Sequence, residues 1–230
     1  MAAERTRVDN DARYTIVLNE RQDIGDKNTF GARYGRVGVY SKAAIDYTFC
    51  LLALPVLFLL CVALMIMNPF VNPGPLFFKQ ERMGQGGRSF VMWKFRTMTE
   101  SNEAARPHDA PLEYDRITLL GHFLRKTRMD ELPNMINILR GEMTLVGPRP
   151  DAIEHARAYS ALIPHYRMRF QAKPGITGLA QVRSGYADTK RAVMLKAKHD
   201  SFYIDRASLL LDLHIIWCTV GVVIRGSGAR

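Results

Sequence analysis

Apolar residues are spread very unevenly along this chain. From Ile45 to Met67 it reads IDYTFCLLALPVLFLLCVALMIM, with Asp46 as the only charge. About 20 apolar residues suffice to cross a bilayer as a helix, so the block reads as a membrane helix. Pro55, near its middle, removes a helical hydrogen bond and favours a bend. Cations flank both ends, Arg33, Arg36 and Lys42 before it and Lys79, Arg82 and Arg88 after it. The positive-inside tendency puts both flanks in the cytoplasm. A helix that enters, breaks at Pro55 and leaves on the same side satisfies both facts. A straight or kinked single-pass anchor is the competing reading, since proline is tolerated in membrane helices.

Outside that block the pattern is polar and intermittently periodic. Residues 1–40 are mixed in charge and read as a disordered cytoplasmic tail, with a short strand at Tyr14–Leu18 at most. The turn-rich stretch Asn68–Pro75 leads into two aromatic-rich runs, 76–82 and 89–98, separated by Gly84-Gln85-Gly86-Gly87. Such a pair predicts a β-hairpin. Along its second strand Lys94 and Arg96 share one face and Trp93 and Phe95 the other. Residues 99–114 form a polar loop. Ile117, Leu120 and Leu124 fall at helical spacing behind Asp115, a candidate cap. Leu132, Met135, Ile136 and Leu139 predict a second helix, with Pro133 at its first position and Gly141 as its stop. Residues 151–171 read as one or two amphipathic helices. The apolar run from Ala207 to Arg225 is interrupted by Asp212 and His214. It predicts either a helix in the headgroup region, with Trp217 at the interface, or a helix of the soluble core.

Charge narrows the partners. The formal net charge of +10 over 230 residues points to anionic ligands. Nucleic acid is a poor fit, because the cations are dispersed, no nucleic-acid module appears and the apolar block would have no use. The three cysteines and six histidines show no ligand spacing.

The candidate chemistry lies in Leu124-Arg125-Lys126-Thr127-Arg128-Met129-Asp130-Glu131-Leu132-Pro133-Asn134. Two adjacent carboxylates follow three cations and precede a helix start, where an anion is favoured. That suits a metal and a phosphorylated substrate; a capping Asp with a first-turn Glu on a solvated surface is the plain alternative. In Gly147-Pro148-Arg149-Pro150 the guanidinium is borne on a restricted backbone, which suits bidentate phosphate binding, with a structural salt bridge as the alternative. Lys173–Arg183, punctuated by Gly175 and Gly178, reads as a site loop.

Four motifs occur in order behind the proline-containing apolar segment: Lys94-Phe95-Arg96-Thr97-Met98, Asp130-Glu131-Leu132-Pro133, Gly147-Pro148-Arg149-Pro150 and Pro174-Gly175-Ile176-Thr177-Gly178-Leu179-Ala180-Gln181-Val182. Together they resemble the bacterial sugar transferases of the monotopic phosphoglycosyl transferase superfamily, in the small form without an extra membrane bundle. The resemblance implies an α+β fold. A re-entrant membrane helix hairpin (45–67) would carry a small, mainly helical cytoplasmic catalytic part (76–230) with a short β-hairpin and interfacial amphipathic helices. The transferase domain would span 41–230.

It also implies a two-step reaction, in which sugar 1-phosphate passes from a UDP-sugar to undecaprenyl phosphate in the inner leaflet of the bacterial inner membrane. UMP is released, and an exopolysaccharide or O-antigen type of glycan is begun. Asp130 would be the nucleophile and Glu131 the Mg²⁺ ligand, with Asp130 counted in the same metal pair. Lys94, Arg96, Arg125, Arg149, Gln181 and Arg183 would bind substrate. The run Val182-Arg183-Ser184-Gly185-Tyr186 departs from the Asn-Gly-Arg of many relatives, so no sugar preference carries over. A homodimer is left open. The competing function is a non-catalytic membrane-anchored adaptor binding anionic lipid or a partner enzyme.

Overall fold

The computed structural model describes residues 27–99, 114–163, 165–184 and 190–225. Helix α1, Lys27–Val71, consists of two helical segments joined at a kink at Gly35. Asp46, Cys50, Leu57, Leu64 and Asn68 are buried, and Leu54, Leu60 and Cys61 pack between them. These positions recur every third or fourth residue, so a single stripe of the helix meets the domain. The other face exposes Leu51, Leu52, Phe58, Leu59, Met65 and Ile66. So wide an uncovered apolar face is the mark of an interaction with membrane or protein rather than with water.

Two sequence expectations change here. The one non-helical φ/ψ inside α1 is at Gly35, and the backbone stays helical through Pro55. The break falls at Gly35, with φ of +64° and ψ of 171°, and the apolar part beyond it is one helix, not a hairpin broken at the proline. The helix also begins at Lys27, inside the segment expected to be a disordered tail. Phe30 is buried, and the Tyr34 hydroxyl donates to Asp212 at 3.0 Å. A helix whose inner contacts are aromatic and hydrogen-bonded gives little hydrophobic periodicity to read. Residues 1–26, with Tyr14–Leu18 among them, lie outside the described residues.

Polar side chains fasten both ends of the apolar stretch. Near its start, Lys42 Nζ donates to Asp212 at 2.7 Å and to the Val146 carbonyl at 2.9 Å. The Asp46 carboxylate accepts from Thr144 Oγ1 at 2.7 Å and Leu145 N at 2.9 Å. At its end, Asn72 Nδ2 donates to the Arg96 carbonyl at 3.1 Å. Such pairing offsets the cost of burying polar groups.

Strands β1, Phe77–Met83, and β2, Ser89–Phe95, form the expected antiparallel hairpin, from Phe77 opposite Phe95 to Met83 opposite Ser89. Its turn needs glycine, since Gly86 and Gly87 both have φ of +68°. Helix α2, Leu119–Lys126, is capped by Thr118, whose Oγ1 accepts from Gly121 N at 3.0 Å. Asp115, the expected cap, lies in a 3₁₀ turn before it. Helix α3, Asn134–Leu139, is only six residues long, and Gly141 with φ of +73° ends it as expected. Leu139 is exposed, and Asn134 and Asn137 are buried beside Met135 and Ile138.

A second sheet was not legible from periodicity. β3, Thr144–Val146, pairs in parallel with β4, Gly175–Thr177. The glycines of the supposed site loop serve this pairing. A Cβ on Gly175 would lie 2.2 Å from Gly147 N, and one on Gly178 would lie 2.2 Å from the Gly147 carbonyl oxygen. Backbones touch there, and only glycine permits it. Helices α4 (Ile153–Leu162), α5 (Leu179–Ser184), α6 (Lys190–Arg206) and α7 (Leu209–Ile224) complete the domain. One face of α7 packs on the domain, as the core reading expects, with Asp212 and Ile215 buried, and Leu210, Trp217 and Ile224 face outward.

Candidate active site

Asp130 and Glu131 lie in the 3₁₀ turn Met129–Glu131, just ahead of the short helix α3. The turn is entered through Arg128, whose φ of +59° puts a bulky side chain in the left-handed region. Such a conformation costs about 1–3 kcal/mol and tends to occur at functional sites. Both carboxylates are buried, at 8% and 5% exposure.

Their surroundings differ sharply. Glu131 Oε1 accepts from Lys94 Nζ at 2.8 Å and from Arg149 Nη2, and its Oε2 accepts from Arg149 Nη1 at 3.2 Å. Arg128 Nη1 lies 3.9 Å from Oε1. Burial alone would raise the pKa of Glu131, but Arg149 and Lys94 outweigh it and hold the carboxyl well below the usual range. Asp130 moves the other way. Burial first, and then the charge of Glu131, push its pKa up against the pull of Lys94, Arg149 and Arg128. Its Oδ1 is buried without a hydrogen-bond partner. Adjacent carboxylates with pKa values driven apart are what a division of chemical roles requires.

Arg149 is held as firmly as its charge is used. Its backbone passes between Pro148 and Pro150, and its carbonyl accepts from Arg169 Nη2. Arg169 in turn pairs with Asp151 and, at 3.1 Å, with Asp200. Lys196 Nζ donates to Asp151 at 2.6 Å, and the Tyr166 hydroxyl also donates to Asp151. Lys196 and Arg169 hold the Asp151 carboxyl down against its burial, whereas burial raises that of Asp200. A chain of buried contacts thus runs from α6 to Glu131.

The expected substrate-binding set separates in space. Lys94 and Arg149 converge on the acidic pair. Arg96 does not: it donates to the carbonyls of Pro75, at 2.7 Å, and Asn72, closing the exit of α1 with its guanidinium against Gly74. β2 ends at Phe95, so strand alternation no longer fixes where Arg96 points. Arg125 Nε donates to Thr97 Oγ1 at 2.9 Å. Gln181 Nε2 donates to the Ile176 carbonyl at 3.1 Å. Arg183 is exposed on α5, near enough to His199 to help burial lower its pKa. None of these four bonds to either carboxylate. The geometry adds Arg128, beside Glu131, and Arg169, behind Arg149, to the site. Arg128 stood visible beside the pair in the sequence, whereas Arg169 gave no signal. Asn134 is fully buried with both amide atoms unpaired.

The donor set fits a hard divalent cation. Among the described residues no cluster of three metal-ligating side chains exists. Mg²⁺ needs only one or two carboxylates when water and substrate phosphates complete its shell. Asp130 Oδ1 is a free oxygen donor, and a diphosphate would give Arg149 and Lys94 an alternative partner, releasing oxygens of Glu131.

The site is thus a buried acidic pair ringed by cations able to bind phosphate, on a domain packed along one face of an apolar helix. The chain belongs to the bacterial sugar transferase family, whose sequence pattern it matches over residues 37–226. It is 40% identical over 214 residues to a UDP-glucose:undecaprenyl-phosphate glucose-1-phosphate transferase of Xanthomonas campestris pv. campestris, covering 90% of this chain and 44% of that protein. It is 37% identical over 194 residues to a UDP-N-acetylgalactosamine-undecaprenyl-phosphate N-acetylgalactosaminephosphotransferase of Aeromonas hydrophila, covering 83% and 45%. The chain therefore spans about half the length of these two relatives. It spans nearly all of a third, the exopolysaccharide production protein PSS of Rhizobium leguminosarum bv. phaseoli, at 39% identity over 196 residues, 81% of this chain and 97% of that protein.

Proposed function

We propose that this protein transfers sugar 1-phosphate from a UDP-sugar to undecaprenyl phosphate at the cytoplasmic face of the bacterial inner membrane, beginning a glycan of the exopolysaccharide type. The observation that carries the reading is the asymmetry of the acidic pair: Glu131 is saturated with cations, and Asp130 is buried with an unpaired oxygen.

In the first step the Asp130 carboxylate attacks the β-phosphorus of the UDP-sugar. The bond from that phosphorus to the bridging oxygen breaks, and UMP leaves with the electron pair. In the second step an oxygen of undecaprenyl phosphate attacks the aspartyl phosphosugar. The phosphorus–aspartate bond breaks, the carboxylate is regenerated, and the sugar is left on the lipid diphosphate. Lys94 and Arg149 stabilise charge on the equatorial oxygens in both steps. Asp130 and Glu131 would hold Mg²⁺, which when bound neutralises diphosphate charge. Burial of Asp130 removes water from the nucleophile and slows hydrolysis of its phosphosugar ester.

The membrane reading rests on the fastening of α1. Asp46 and Asn72, at opposite ends of the apolar stretch, both bond to the one small domain. A helix crossing the bilayer would carry those ends to opposite faces, about 30 Å apart. We place α1 in one leaflet, with both flanks cytoplasmic and its apolar outer face in lipid.

Purified protein, a panel of UDP-sugars and undecaprenyl phosphate test the reaction directly. Expected is Mg²⁺-dependent UMP release, with a sugar phosphate trapped on Asp130. Full activity in Asp130→Asn would refute it.

A further inference from the structure

Helix α2 carries a feature that neither the carboxylate pair nor the membrane helix uses. Leu119, His122, Phe123 and Lys126 are its exposed residues, spaced i, i+3, i+4 and i+7, and so form one stripe. Leu119 is 89% and Phe123 55% exposed, a costly display on an eight-residue helix. The opposite face is fixed. A Cβ on Gly121 would sit 2.0 Å from the Thr97 carbonyl oxygen, and Leu124 is buried. The stripe therefore cannot rotate inward.

Its direction is informative. The apolar pair lies toward the N-terminal end and Lys126 at the C-terminal end, about 10 Å away at 1.5 Å per residue. Beyond Lys126 the chain turns through Thr127 and Arg128 directly into Asp130. Leu120 and Leu124 of the same helix pack with Leu57, Leu60 and Leu64 of α1, so the helix that carries the stripe is seated directly on the apolar helix.

We propose that this stripe is the docking track of the lipid acceptor. The prenyl chain lies along Leu119 and Phe123, and Lys126 draws the single phosphate toward Asp130. The assignment rests on the transferase reading and adds where its second substrate approaches. An apolar tail ending in one anionic head matches the order apolar, apolar, cation, nucleophile along the track. A water-soluble phosphate would need no Leu119 or Phe123, and a neutral lipid would need no Lys126.

The test uses the full chain in nanodiscs and a polyprenyl phosphate with a photoreactive tail. Cross-links within residues 119–126 are expected, competed by undecaprenyl phosphate and poorly by undecaprenol. The double variant Leu119→Gln, Phe123→Gln loses most of this labelling and raises KM for undecaprenyl phosphate about 10-fold or more. Its KM for the UDP-sugar stays within about twofold. Lys126→Glu raises KM for the lipid phosphate in the same way and leaves labelling by a photoreactive polyprenol unchanged. Cross-links elsewhere, or undiminished labelling in the double variant, overturn the proposal. Equal labelling by photoreactive phosphatidylglycerol, uncompeted by undecaprenyl phosphate, also overturns it and marks the stripe as general membrane contact. Specific labelling without sugar transfer would refute the transferase reading alone, and transfer without labelling would refute the track alone.

Discussion

Replacing Arg169 by Met tests how Arg149 is held. Arg169 is nearly shut off from solvent, and its guanidinium meets Asp151, Asp200, the Tyr166 hydroxyl and the carbonyl of Arg149. Its removal leaves Asp151 with Lys196 and the Tyr166 hydroxyl, and takes from Asp200 the guanidinium it pairs with. Breaking a buried pair from one side costs about 3–5 kcal/mol, which for a chain of this size lowers Tm by about 10 °C. The sign of the pH dependence follows from the groups involved. The Asp200 carboxyl is already raised by burial and moderated by Arg169, so the variant raises it further. Folded variant then binds more protons than unfolded, and its stability falls as pH rises through that folded pKa. In the wild type the depressed Asp151 supplies stability that is present above the unfolded value and lost in acid. The gap between the two proteins must therefore be widest near neutrality, narrow toward about pH 4 as Asp200 protonates, and narrow further below it as the Asp151 contribution is lost. Thermal unfolding in detergent between those limits measures it. Transfer assays at permissive temperature should show kcat reduced by about 10²-fold, since a guanidinium displaced by 1 Å no longer meets the transferring phosphoryl group. Arg169→Lys, which keeps charge but not the fork, should fall between. An equal Tm loss at every pH, or an unchanged kcat in a destabilised variant, would refute the reasoning.

Other outcomes follow from the same geometry. Asp130→Asn should abolish transfer, by about 10⁴-fold or more, yet raise stability at neutral pH by about 1 kcal/mol. Because the Asp130 pKa is raised, that gain should vanish as pH falls below it; denaturant unfolding at two pH values checks the sign. The rate should rise with pH as Asp130 ionises, and Lys94→Met, which removes a cation that lowers its pKa, should move this acid limb upward in a kcat/KM profile. Gly147→Ala should cost about 2 kcal/mol or more in thermal unfolding, because its Cβ would lie 2.4 Å from the Lys173 carbonyl oxygen. Arg128→Gly should leave stability equal or higher, by up to about 1 kcal/mol, while lowering activity. Unfolding and transfer measured on one preparation separate its strained backbone from its charge.

The sequence by itself determined the features that depend on local composition. The apolar block of α1, the hairpin around Gly86 and Gly87, the stop at Gly141 and the pairing of Asp130 with Glu131 all follow from residue type and short-range spacing. Family membership was equally legible, because four motifs in order are a linear property. What it could not give were relations across the chain. Arg96 looked like a partner of Lys94 by strand alternation, but the strand ends at Phe95 and the guanidinium turns back to α1. Gly175 and Gly178 looked like a ligand loop, but they let a parallel strand touch Gly147. Only the tertiary structure brought Arg169, Asp200 and Lys196 behind Arg149. It alone made the adjacent carboxylates unlike, one wrapped in cations and the other buried and unpaired. The physical reason is that charge and desolvation act through space over a few ångströms, and partners from 18 (Glu131 and Arg149) to 170 (Lys42 and Asp212) residues apart in sequence leave no periodic trace.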